Sequence, residues 1–147
     1  MRNLLGGLWL FAWVFLAQLG HLIEHIAKQI SGSGPLGSAF DSELSHLVFN
    51  GIIAIASVLL VRVYPRNPWV YPLAALAVFH SIEHVYIFEQ FLKTGAANAP
   101  GLLGRGGAIG LIELERNDLH NAYNGFELIL MVLGLWHETE VRLERLE

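Results

Sequence analysis

Cysteine is absent from the chain, which has 147 residues. That excludes a thiol redox enzyme, an iron–sulfur cluster and a zinc site built on thiolates. Charge is scarce as well. Only 15% of the residues are Asp, Glu, Lys or Arg, where a soluble domain carries about 25%. The basic residues are scattered and the net charge is −4, so no nucleic-acid surface is expected. What fills the chain instead is apolar: 54% of it is hydrophobic, with a mean hydropathy of +0.47. The composition points to a membrane protein and the length to a single domain.

Four apolar stretches approach the roughly 20 residues that cross a bilayer. They cover residues 4–30, 44–63, 69–92 and 119–136. The fold class they predict is an all-α integral membrane protein, a bundle of four transmembrane helices. Arg2 followed by the apolar run 4–19 resembles a signal peptide. The run is longer than a usual signal core, and no small-x-small cleavage pattern follows it, so it reads as a retained first span. Trp9, Trp13, Tyr64, Trp69, Tyr71 and Trp136 lie near segment ends, where amphipathic rings favour the interface. Pro65 and Pro68 predict a tight turn between spans two and three. The other two links are long and rich in glycine, and residues 111–116 are expected to form a short interfacial helix. Residues 138–147 form a charged tail. Arg2, Arg62, Arg66, Arg142 and Arg145 fall on the side of the termini. The positive-inside rule therefore predicts that both termini are cytoplasmic.

Within this apolar background two stretches stand out. His21-Leu22-Ile23-Glu24-His25 recurs as His80-Ser81-Ile82-Glu83-His84. The His, Glu and His of each copy fall at i, i+3 and i+4, one stripe of a helix. Burying such groups in hydrocarbon is costly, so their presence calls for a reason. A second pair matches too: His46-x-x-x-Asn50-Gly51 opens the second span and His120-x-x-x-Asn124-Gly125 opens the fourth. A short Gly, Leu and Gly stretch separates the motifs of each half, at 34–37 and 101–104. The same motifs in the same order predict two helical-hairpin repeats, about 4–63 and 69–137. With an even number of spans each, the repeats run parallel.

All six of these histidines fall toward the side of the two long loops, where a bundle would point them at a shared interior. Imidazole with carboxylate is a ligand set for iron, copper or zinc. The expected metal ligands are His21, Glu24, His25, His46, His80, Glu83, His84 and His120, enough for two ions. Glu24 and Glu83 would bridge the ions or orient the rings. Asn50 and Asn124 would be weak ligands or hydrogen-bond donors beside the cofactor. Glu127 breaks the symmetry, since its counterpart is Ile53. An intramembrane carboxylate marks proton handling or a substrate contact, so Glu127 is the catalytic candidate. Gln18, whose counterpart is Ala77, extends the first stripe, and Tyr123 offers a phenol. Asp41, Glu43, Glu115 and Asp118 are expected to cap helices, and His137 to lie at the surface.

The expected function is a dinuclear metal centre in the membrane, an oxidoreductase acting on a small or lipophilic substrate. A rival is a binding or transport protein for copper, zinc or iron. A third reading is a haem-bearing electron-transfer subunit, although haem needs only two of the six histidines. The small size and short tails leave room for other membrane subunits or a second copy as partners.

Overall fold

The computed structural model describes residues 2–32, 34–37, 42–96 and 99–144. They form four helices: α1 (Arg2–Ser31), α2 (Glu43–Val63), α3 (Val70–Thr94) and α4 (Arg116–Leu143). No strand occurs among the described residues. The helices pack in a ring, α1 on α2, α2 on α3, α3 on α4 and α4 on α1. Neighbours run antiparallel, as in an up-down-up-down bundle.

Local chemistry sets the helix ends. The Ser42 hydroxyl accepts the N–H of Ser45 at 3.1 Å, which caps α2. Asp41, an expected cap, lies outside the described residues. Pro65 follows the end of α2, because a proline there cannot donate to the next turn. Gly95 ends α3 in the left-handed region (φ 71°) with its N–H on the Phe91 carbonyl. In the α2–α3 turn, Asn67 is fully buried. Its amide donates to the Gly134 carbonyl at 2.9 Å and to Glu138 at 3.1 Å, which ties this turn to the far end of α4.

Three helical segments are long and apolar enough to cross a membrane: Leu8–Ser31, Glu43–Val63 and Val70–Thr94. The fourth expected span falls short on composition, not on length. At 28 residues, α4 is long enough, but it carries His120, Asn121, Asn124 and Glu127 in its first half. His120, Asn124 and Glu127 are buried inside the bundle. The outward faces are apolar, with Trp9, Leu16, Ile55, Val85, Phe126 and Trp136 exposed.

Residues 111–116 do not form the expected interfacial helix. Their backbone pairs back across the loop instead: Ile112 N–H donates to the Leu103 carbonyl at 2.9 Å and Arg105 N–H to that of Leu114 at 2.9 Å. Gly107 permits this folding, since a β-carbon there would strike the Gly101, Leu102 and Gly104 carbonyls. The start of the charged tail continues α4 as far as Leu143, and residues 145–147 lie outside the described residues.

The end of the bundle away from the long loops is closed by apolar packing of Phe11, Val14, Leu60, Leu73 and Met131, all fully buried. Phe11 lies so close to Gly134 that a β-carbon there would meet its ring. This plug leaves the loop end of the bundle as the polar end.

Candidate metal centre

Six histidines converge at the loop end, in two groups. His21, His25 and His46 form one, His80, His84 and His120 the other. Within each group the ligand atoms lie within 4.8 Å of one another. The helical spacing supplies two members of each group, because i and i+4 side chains lie on one face. The antiparallel neighbour supplies the third from its first turns. In both groups the i and i+4 rings bring their Nε2 atoms to 3.2 Å. Two nitrogens on one tetrahedral zinc ion stand about 3.3 Å apart, for metal–nitrogen bonds of about 2.0–2.1 Å. The groups adjoin through His46 and His84, whose rings stack with centroids 5.8 Å apart.

Hydrogen bonds aim several of these rings. His46 Nδ1 lies 3.0 Å from the Ser42 carbonyl and His120 Nδ1 lies 2.7 Å from the Arg116 carbonyl. A carbonyl only accepts, so Nδ1 carries the proton in both rings and Nε2 keeps its lone pair. His120 Nε2 is buried with no hydrogen-bond partner among the described residues. A buried lone pair left open costs free energy unless something electrophilic meets it. His80 Nδ1 lies 3.0 Å from Glu127 Oε1, which leaves its Nε2 for the centre as well.

The carboxylates expected beside the metals are placed elsewhere. Glu24 accepts the Leu36 N–H at 2.9 Å and Glu83 accepts the Leu102 N–H at 3.0 Å. Each pins one long loop to its helix. Glycines at 34 and 101 admit them, since a β-carbon at either position would overlap the carboxylate. Glu83 also accepts the Tyr123 hydroxyl at 2.8 Å. Glu24 Oε1 is buried without a partner among the described residues, and the residue matching Tyr123 is Phe49. Neither carboxylate joins a histidine group, so among the described residues both groups are purely imidazole.

Asn50 donates to the His46 carbonyl at 2.9 Å. The Asn124 side-chain oxygen accepts from Gln18 Nε2 at 2.7 Å, and Gln18 Nε2 also donates to Glu127 Oε2. Gln18, Asn124 and Glu127 are fully buried. Glu127 therefore stands behind His80, away from the cavity wall.

That cavity holds about 520 Å³ at the loop end. His25, His46, His84 and His120 line it, with Lys28, Glu43, Arg116 and Asn121 around them. Arg116 and Glu43 pair at 2.6 Å between the first turns of α4 and α2. The other acidic residues near the helix starts are drawn into side-chain pairs: Glu115 accepts from Arg105 and Asp118 from Gln29. Glu43 and Asp118 lie in the first turns of α2 and α4, where a carboxylate suits the helix N-terminus, and each also pairs with a side chain. Sequence reasoning overlooked Lys28 and Arg116 as wall residues. The signal was their spacing, three residues after His25 and four before His120, on the same helix faces.

No family model matches the chain, and neither a curated protein nor a solved structure is detectably similar to it.

Proposed function

We propose that the chain is an integral membrane metalloprotein whose two histidine groups hold two adjacent metal ions, and that it works as an oxidoreductase. The observation that carries the reading is the pairing of two all-histidine groups, each with its ligand atoms within 4.8 Å. The apolar outward faces of all four helices support a four-span bundle made of two parallel hairpin repeats, with α4 as the most polar span. The positive-inside rule places both termini in the cytoplasm and the metal site toward the other side.

The donor set favours copper. Dinuclear iron centres in helix bundles are rich in carboxylate, whereas imidazole alone suits copper and zinc. Of those two, copper undergoes redox change, and when bound it would exchange electrons with the substrate and polarise it. The chain's own residues do the rest. The backbone carbonyls of Ser42 and Arg116 fix the ring orientations of His46 and His120. The Arg116–Glu43 pair frames the mouth. The plug of Phe11, Leu60 and Met131 excludes water from below. The polar cavity favours a small hydrophilic substrate arriving from the loop end. The lateral pocket of Phe15, Leu19, Leu128 and Val132 and that of Leu76, Leu119 and Phe126 touch no histidine, which weighs against a lipophilic one. The same plug weighs against transport, which needs a polar way through.

Elemental analysis of the purified chain tests the proposal. One copper ion per histidine group is expected, lost in the double variant His25→Ala/His84→Ala. Metal content well below one ion per chain would remove the reading, and a Soret band would replace it with haem.

A further inference from the structure

We infer that the two metal sites are unequal: the His80–His84–His120 site holds its ion tightly and permanently, and the His21–His25–His46 site is the exchangeable one. This rests on the metal-binding reading above. Three positions at which the two halves differ all bear on the second group. Glu127 stands where the first half has Ile53, Tyr123 where it has Phe49, and Gln18 where the second half has Ala77.

Glu127 makes the largest difference. Its Oε1 accepts from His80 Nδ1 at 3.0 Å, while Gln18 holds its Oε2. A carboxylate behind a ligand imidazole fixes the ring and raises its basicity toward the metal. Ile53 offers the first group neither acceptor nor charge. Access differs in the same sense. His80, His84 and His120 are 0%, 1% and 3% exposed, whereas His21 and His46 reach 7% and 9% and His25 is half-buried. The tighter site is thus the more buried one, and the looser site is the more open to solute at the cavity that both groups line. Glu127 is a positioning residue in this scheme, acting through His80.

The test is a titration of the metal-free full-length chain in detergent with Cu(I) against a chromophoric chelator. Two steps are expected, the first about 10–100-fold tighter than the second. Glu127→Leu should weaken the first step to the level of the second and leave the second unmoved, which a merely structural role would not do. Glu127→Gln, which keeps an acceptor without the charge, should fall between. If Glu127→Leu does not fold, the histidine variants decide. His21→Ala/His25→Ala should retain the tight step and His80→Ala/His84→Ala only the weak one. Two equal steps, a tight step that survives loss of His80 and His84, or steps indifferent to Glu127→Leu would overturn the inference while leaving metal binding intact. Failure of the wild type to bind any ion would overturn the metal reading itself, and this inference with it.

Discussion

The two histidine groups are alike at the ring and unlike behind it. Each takes an i, i+4 pair with Nε2 atoms 3.2 Å apart and a third ring tied to a backbone carbonyl four residues earlier. Each also sits beneath a loop pinned by a glutamate through a glycine. Behind the first group stand Ile53, Phe49 and Asn50, whose amide is spent on the His46 carbonyl. Behind the second, Glu127, Gln18, Asn124 and Tyr123 form a buried polar cluster. The shared part is what holding an ion requires. The part that differs is what tunes the ion, because outer groups set ligand orientation and local charge.

The largest effect expected from this comparison is on metal content. His25→Ala should empty the first site alone and His84→Ala the second alone, each halving the metal per chain by elemental analysis. Loss of both ions from either single variant would mean that the groups share one centre. Next is the ion pair at the mouth. Glu43 is buried against Arg116, so Arg116→Ala should destabilise the fold by about 1.5–3 kcal/mol, read as a lower thermal midpoint in detergent.

Gly101→Ala and Gly34→Ala drive a β-carbon into Glu83 and Glu24. Each should cost about 1–3 kcal/mol, and equal costs would support the equivalence of the two loops. Exchanging the unlike pair gives one effect of similar size and then the smallest. Tyr123→Phe removes the donor to buried Glu83 and should cost about 1–3 kcal/mol. Phe49→Tyr places a hydroxyl near Glu24 Oε1, which has no partner, and should be neutral or stabilising by up to about 1 kcal/mol. A strongly destabilising Phe49→Tyr would break the correspondence between the halves.

Much of this arrangement was legible in the residues. The i, i+4 spacing of His21 with His25 and of His80 with His84 fixed a shared face, and His46 and His120 at the starts of returning helices placed a third ring at the same depth. The turn between α2 and α3 followed from Pro65 and Pro68. The direction of Glu24 and Glu83 was not legible. Their position at i+3 puts them on the histidine stripe, but a loop N–H from a distant stretch competes for the carboxylate, and helical periodicity says nothing about that loop. Gly34 and Gly101 were the only hint, since a glycine often marks a close approach. The strand-free pairing of residues 103–105 with 112–114 was equally hidden, because it depends on backbone bonds and not on side-chain pattern. The polarity of α4 was visible, yet its inward-facing groups hold its hydropathy below that of the other three helices.

Metal K-edge X-ray absorption on the purified wild-type chain tests the central claim most directly. The account predicts a first shell of imidazole nitrogens at about 2.0 Å, with a second metal scatterer nearby. A shell dominated by carboxylate oxygen, or a lone ion with no metal neighbour, would contradict it.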